Sequence, residues 1–162
     1  MLISKWFHLE EFTTSEVAAR AGREIIAPPD VLASLTRLAN QCLDPIRDAV
    51  GMPMHVTSGY RPDWLNAMIG GVANSAHQWG GAADVIVPGM TNVELARKAL
   101  EVLTGPAFPI FDQIILEFPP GGWVHIGQSQ AGMQRAQSLT ALHVAGATRY
   151  YSGFLEHIEQ GA

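Results

Sequence analysis

His77 and Asp84 lie seven residues apart within a stretch that is rich in glycine and alanine. The segment between them contains QWGGAA, which is too small and too glycine-rich for an ordinary core helix, and glycine lets the backbone aim two side chains at one point. A neutral imidazole and a carboxylate that converge are two of the three protein ligands of a catalytic zinc site. His125, in the strand-like segment GGWVHIG, supplies a third. The three residues predict a His-Asp-His site with one position open for water, although spacing alone also fits a buried histidine hydrogen-bonded to an aspartate.

The motifs SGYR, NSAH, GxAxD and WVH follow one another in this order along the chain. Together they resemble the D-Ala-D-Ala carboxypeptidase type of zinc peptidase, a group that includes phage endolysins and VanX-like and VanY-like dipeptidases. The resemblance extends from about Phe7 to about Tyr151. It implies an α+β fold of the hedgehog/DD-peptidase type, with a small antiparallel sheet flanked by helices. It also implies Zn²⁺ as the cofactor, held by His77, Asp84 and His125.

Hydrolysis by such a site also needs a general base, which takes a proton from the attacking water. In several members of the family that this chain resembles, an acidic residue lies three positions before the last histidine. Here that position is Gly122, so the sequence departs from the pattern. The acid must come from elsewhere, and Glu117 and Asp112 on the preceding predicted strand are the candidates.

The geometry of the predicted hairpin favours Glu117 as the base. With a three-residue loop at 120–122, Glu117 faces His125, and Asp112 points to the opposite side because side chains alternate along a strand. A four-residue loop would instead pair Glu117 with Val124. An idle carboxylate between Leu116 and Phe118 would be costly to bury, which also favours a functional Glu117. The alternative is a glutamate on a wet face of the sheet.

Arg61 follows SGY in a predicted turn and is similar to the arginine of the family motif. A guanidinium group suits a carboxylate or a developing oxyanion, so we expect Arg61 to bind substrate or to stabilise the tetrahedral intermediate. A structural ion pair with Asp63 or Asp84 is the alternative. Ser75, two residues before His77, is expected to hydrogen-bond the substrate or to fix the loop.

Four further histidines have no neighbours of ligand type and are expected to be surface or core residues: His8, His55, His143 and His157. Of these, His55 lies in a predicted strand between apolar residues. It is therefore the substitute ligand if one of the predicted three fails.

Helices and short strands must position these residues. Apolar residues recur at three- and four-residue steps over 31–43, which predicts a scaffold helix that the following proline kinks or restarts. Thr91 and Glu94 fit a capping box at the start of another helix. The tail is predicted to be helical around 133–142, with a last strand near Tyr150. Mixed helices and hairpin-linked strands argue for an α+β fold.

The composition indicates one globular domain over residues 1–162. The chain is 48% hydrophobic and carries a net charge of −5 without runs of Lys or Arg, so no nucleic-acid partner is expected. A single cysteine excludes a disulfide framework. The N-terminus has neither a long apolar run nor a small-residue cleavage site, so we expect no signal peptide and no membrane span. A monomer is the expected state.

The sequence therefore predicts a zinc metallopeptidase that hydrolyses peptide bonds of peptidoglycan stem peptides. The resemblance implies either D,D-carboxypeptidase or L-alanyl-D-glutamate endopeptidase action. An enzyme without a signal peptide must reach the wall by phage-mediated lysis or by delivery in a virion. The alternative is a non-catalytic binding or structural domain, such as a virion component, on the same fold, which the missing acid at Gly122 favours. A peptidase for a non-wall dipeptide is a third option.

Overall fold

The structure is a computed structural model that describes residues 1–105, 110–130 and 132–155. Helices precede and interrupt the sheet in this part of the chain. The α-helices are α1 (Leu9–Phe12), α2 (Glu16–Arg20), α3 (Pro29–Leu38), α4 (Asp44–Val50), α5 (Asp63–Met68) and α6 (Asn92–Leu103). A π-helical turn, Ala39–Leu43, joins α3 to α4, and a 3₁₀-helix spans Ala76–Trp79. None of the helices in the described ranges is long and apolar enough to cross a membrane.

A mixed sheet of six strands forms the other half of the fold. Its strands are β1 (His55–Ser58), β2 (Ala82–Ile86), β3 (Gln113–Glu117), β4 (Trp123–Gly127), β5 (Gln137–Val144) and β6 (Ala147–Ser152). They are arranged in the order β1-β2-β4-β3-β5-β6, and β3 and β5 run parallel while the other neighbouring pairs are antiparallel. The predicted α+β class is confirmed. The prediction of a small antiparallel sheet is wrong, because β5 extends the sheet through a parallel pairing.

The two faces of the sheet have different roles. Apolar side chains of β2, β3 and β4 point to one face, where they are fully buried in the core together with residues of α3, α4 and α6: Ala83, Val85, Ile114, Leu116, Val124 and Ile126. Because side chains alternate along a strand, the residues between them point to the other face. That second face carries Asp84, Glu117 and His125.

The helices that cover the core face begin where the sequence predicts. The apolar stripe of α3 is buried, and the chain passes through the π-helical turn into α4, with Pro45 in the first turn of α4. At α6 the capping box is present: the Thr91 hydroxyl accepts a hydrogen bond from the N–H of Glu94 at 3.2 Å, and Glu94 accepts one from the N–H of Thr91 at 2.8 Å. The continuous α3–α4 segment and α6 therefore pack against the core face of the sheet.

The tail of the described chain is a β-hairpin and not the helix predicted around 133–142. β5 and β6 pair over six residues, and β5 also pairs along the whole of β3. This segment is a strand because its backbone N–H and C=O groups find hydrogen-bond partners along the edge of β3. The expected last strand near Tyr150 is present as β6.

Candidate metal centre

The sheet and a short helix bring the three predicted ligands together. Asp84 and His125 are direct partners across the antiparallel pair β2 and β4. His77 lies in the 3₁₀-helix that precedes β2, and Gly80 ends this helix with a left-handed φ of 74°. A Cβ on Gly80 would lie 2.8 Å from the carbonyl oxygen of Val31, so only glycine allows this turn against α3. The glycine-rich segment thus folds His77 back over β2.

The donor atoms of these residues form a triangle of the size that a metal ion needs. The distances are 2.9 Å from His125 Nδ1 to Asp84 Oδ1, 3.3 Å from His77 Nε2 to Asp84 Oδ1 and 3.2 Å from His77 Nε2 to His125 Nδ1. A tetrahedral zinc ion with bonds of about 2.0–2.1 Å has ligand atoms roughly 3.3 Å apart. All three residues are buried, and among the described residues they are the group that could hold a metal ion.

The positions of hydrogens also suit a cation. His77 Nδ1 lies 2.7 Å from the carbonyl oxygen of Gly59, which can only accept, so Nδ1 carries the ring hydrogen and Nε2 presents a lone pair to the site. Burial lowers the pKa of His77, which favours this neutral form. With neutral rings, the triangle of Nε2, the carboxylate and His125 Nδ1 has at most one hydrogen for three short contacts. The residues present therefore fit a bound divalent metal.

Asp84 is held ionised and oriented from two sides. Burial opposes its ionisation, but the close contacts and hydrogen bonds with His77 and His125 lower the pKa of the carboxyl well below its usual range. Its second oxygen, Oδ2, pairs with the guanidinium of Arg61, and Nε of that group donates to the hydroxyl of Ser58 at 2.8 Å. The ion pair that the sequence offered as an alternative role for Arg61 is thus present. Arg61 also lines the cleft in front of the ligands.

Glu117 lies on the same face as His125, but in a different register from the one predicted. Glu117 pairs with Trp123 and Ile115 pairs with His125, so five residues, 118–122, connect the strands and the three-residue loop is wrong. Phe118 has a left-handed φ of 52°, which ends the regular strand, and its N–H donates to the carbonyl of Ala141 in β5 at 3.0 Å. A shift of two residues preserves the face, so Glu117 still points towards the predicted ligands.

The carboxylate of Glu117 occupies a cleft that also contains the three ligands. The cleft has a volume of about 650 Å³, and its wall includes Arg61, Ser75, Ile115, Trp123, Leu139 and Tyr150. Burial and the negative charge of Asp84 raise the pKa of Glu117, against the opposing effects of His125 and Arg61. The indole N–H of Trp123, the residue that pairs with Glu117, is buried and makes no hydrogen bond within the described residues.

Asp112 is committed elsewhere. Its carboxylate accepts hydrogen bonds at 3.0 Å from the backbone N–H of Arg135 and at 2.9 Å from Nε of the same residue. Burial would raise the pKa of Asp112, but Arg135 lowers it overall. Asp112 precedes β3, is not among the residues that line the cleft, and fastens the loop that leads into β5.

A packing constraint explains the glycine at the position where several relatives have an acid. A Cβ on Gly122 would lie 1.9 Å from the carbonyl oxygen of Glu117 and 3.0 Å from that of Phe118. The N–H of Gly122 also donates to the carbonyl of Phe118 at 3.0 Å, which holds the loop closed. No side chain fits at this position without moving the backbone of Glu117 itself.

The remaining predicted residues have the following places. Ser75 is buried at the wall of the cleft, and its N–H donates to the side chain of Gln78 at 3.0 Å. Three other histidines are exposed and apart from the ligands: His8, His55 and His143. His157 lies outside the described residues. The structure therefore offers no case for His55 as a substitute ligand within the described chain.

Sequence reasoning missed two parts of the site. Gly59 supplies the carbonyl that sets the tautomer of His77, and its position inside SGYR was the available signal. Tyr150 lines the cleft from the edge strand β6. A strand near Tyr150 was predicted, but nothing local to that segment indicates that its face meets the cleft.

The chain matches a known protein family. The sequence model described as "Peptidase M15" matches residues 5–113, which is two thirds of the chain. The matched range includes Arg61, His77 and Asp84 and ends at the first residue of β3, before Glu117 and His125. A comparison with curated proteins found no match.

Proposed function

The chain belongs to the peptidase M15 family, and from this premise we propose that it is a zinc metallopeptidase that hydrolyses peptide bonds in the stem peptides of bacterial peptidoglycan. The observation that carries the proposal is the triangle of donor atoms at tetrahedral spacing, which opens on a cleft that also holds a buried carboxylate. The hedgehog/DD-peptidase type of fold, and a role in phage lysis or in a virion, belong to the same proposal and rest on the resemblance of the motifs.

In this proposal His77, Asp84 and His125 hold Zn²⁺, which when bound lowers the pKa of a water and polarises a carbonyl group. Glu117 takes a proton from the attacking water and returns it to the leaving amine. Its raised pKa suits this exchange, because a base works best when its pKa lies close to the working pH.

Arg61 has two roles in the proposal. Its pairing with Oδ2 of Asp84 leaves Oδ1 directed at the two histidines, so it positions a ligand. Since it also lines the cleft, its remaining N–H groups are available for a substrate carbonyl. Ser75 is proposed to hydrogen-bond the substrate from the same wall.

The charges of the cleft favour an internal peptide bond over a C-terminal one. Recognition of a terminal carboxylate calls for a cation, and among the described residues that line the cleft Arg61 is the one Lys or Arg. Its charge already faces the buried carboxylate of Asp84. Of the two reactions implied by the resemblance, we therefore favour the L-alanyl-D-glutamate endopeptidase.

The test combines metal content with product analysis. Wild type is purified, zinc per chain is counted, and purified peptidoglycan is followed for new amino groups and for free D-alanine. One zinc per chain with new glutamate amino termini is the expected result. Release of free D-alanine would instead establish the carboxypeptidase, and a chain without zinc would contradict the site.

Two variants separate the candidate bases. Glu117→Gln should retain zinc and lose turnover, whereas Asp112→Asn should retain both once circular dichroism has shown that it is folded. The opposite pattern would make Asp112 the base. Zinc without turnover of any wall peptide would favour the non-catalytic binding domain, although the packing at Gly122 removes the sequence feature that supported it.

A further inference from the structure

A row of four side chains crosses the sheet beside the metal centre. Trp123 pairs with Glu117 across β4 and β3, Glu117 pairs with Ala141 across β3 and β5, and Ala141 pairs with Tyr150 across β5 and β6. Residues paired in register point to the same face of a sheet. Glu117 and Tyr150 therefore lie on the cleft face of the sheet with Ala141 between them, and their backbones are about 10 Å apart.

The residue between them is small. Ala141 is fully buried, and its methyl group leaves the space above β5 to the side chains on either side. Thr148 and Leu139, which point to the same face as Tyr150 and Ala141, also line the cleft. The β5–β6 hairpin thus extends the cleft beyond Glu117 with a mostly apolar wall.

Within the described part of the chain, the ring of Tyr150 makes no contact with another aromatic ring or with a cation. Its side chain is 54% exposed, on the outermost strand. Among the residues that the structure describes, none hydrogen-bonds with its hydroxyl group. Burial and the negative charges of Glu117 and Asp84 raise the pKa of Tyr150, so the hydroxyl remains a hydrogen-bond donor at neutral pH.

We propose that Tyr150 is a substrate-binding residue, whose ring packs along the bound peptide and whose hydroxyl donates a hydrogen bond to a carbonyl oxygen next to the bond that is cut. The inference rests on the proposed function and adds a residue that lies outside the part of the chain matched by the family. A ring that is half exposed in the free chain has apolar surface to cover when a peptide enters. Arg61 donates one of its N–H groups to Asp84, so a neutral donor at Tyr150 would add a second contact with the peptide.

The β6 strand provides a matched control. Tyr151 is the next residue along, so it points to the opposite face, and it pairs with Thr140 in β5. Tyr150→Phe and Tyr151→Phe each remove one hydroxyl from the same strand. Tyr150→Ala also removes the ring.

Two measurements test the inference. For turnover of a synthetic stem peptide by the zinc-loaded chain, Tyr150→Phe should lower kcat/KM about tenfold, as expected for one lost hydrogen bond, and Tyr150→Ala should also raise KM. Tyr151→Phe should stay within twofold of wild type, and zinc content should be equal in all four proteins. For binding, the same peptide is titrated by calorimetry into Glu117→Gln with and without Tyr150→Phe, and the double variant should bind about tenfold more weakly.

The outcomes distinguish the inference from the function on which it rests. If wild type hydrolyses wall peptide and Tyr150→Phe matches Tyr151→Phe in both measurements, the inference is overturned and the function stands. If wild type hydrolyses nothing but binding depends on Tyr150, the substrate contact is supported and the peptidase reading is contradicted. Absence of both turnover and binding overturns both.

Discussion

The contact at Gly122 leads to a sharp prediction, because the position decides whether this chain can place its acid where several relatives do. Replacing Gly122 with alanine adds a methyl group 1.9 Å from the carbonyl oxygen of Glu117, where ordinary contacts begin near 3.4 Å. The obstacle is backbone, so no flexible side chain can move aside. We expect a loss of about 3 kcal/mol in the free energy of unfolding, the upper end of the usual cost of overpacking.

The neighbouring glycine is the control. A Cβ on Gly121 meets nothing within 4 Å and its φ is not left-handed, so Gly121→Ala should change stability by no more than about 0.5 kcal/mol. Thermal unfolding is followed by circular dichroism in EDTA, so that metal binding does not contribute. The expected loss corresponds to a fall in Tm of about 6–12 °C for Gly122→Ala.

Turnover gives a second measure of the same contact. The displaced backbone is that of Glu117, so Gly122→Ala should lower kcat in the zinc-loaded chain while zinc per chain stays near one. Equal stability of the two alanine variants would refute the reasoning. It would mean that the loop tolerates a side chain at 122 and that packing does not require glycine there.

Three further predictions concern the charged residues. His77→Ala should lower zinc from about one per chain to near zero by atomic emission, and retention of zinc would contradict the ligand set. Glu117→Gln should raise the unfolding midpoint of the metal-free chain at pH 7, because the raised pKa of Glu117 means that the fold disfavours its charged form. The gain should disappear below about pH 4, where Glu117 is protonated in both the folded and the unfolded chain. An equal gain at pH 7 and at pH 4 would argue against burial of the charge as its cause. Arg135→Ala should destabilise the chain by only about 1 kcal/mol at pH 7, because Arg135 is half exposed, and should not lower turnover. The pKa of Asp112 is lowered in the folded chain, so the loss of stability should vanish as the pH falls through the folded pKa of Asp112. A loss of stability that persists in acid would mean that the ion pair is not its source.

The convergence of the three candidate ligands could be predicted from their residue types and from their order along the chain. A histidine and an aspartate around a glycine turn, followed by a histidine in a strand, needed only one cross-strand pairing to converge, and Asp84 and His125 make it. The same holds for the Thr91 cap, whose partners lie three residues apart.

The register of the hairpin could not be predicted in this way. Loop length was inferred from the turn residues alone, but Phe118 adopts a left-handed φ of 52° and its N–H bonds the carbonyl of Ala141 in β5, 23 residues further along the chain. The predicted face of Glu117 is nevertheless the observed one, because an error of two residues leaves every side chain on its own face. An error of one residue would have placed Glu117 on the opposite face of the sheet.

The tail failed for a related reason. Met133, Ala136, Leu139 and Leu142 recur at three-residue steps and imitate one face of a helix. Leu139 lies in the strand that completes the sheet beside β3, and that pairing is invisible to a local pattern. Tyr150 was missed for the same reason, because its side chain reaches the cleft only through the pairing of β6 with β5.

The wide separation of the ligands along the chain has a consequence for folding. His125 lies 48 residues after His77 and 41 after Asp84, and β4 reaches β2 only after α6 and β3 have been traversed. Closing such loops slows folding, because entropy is lost before the contacts form. A nascent chain can therefore present two ligands long before the third arrives. In a refolding experiment, zinc binding should therefore lag behind helix formation. Metal binding would then report the time at which β4 pairs with β2.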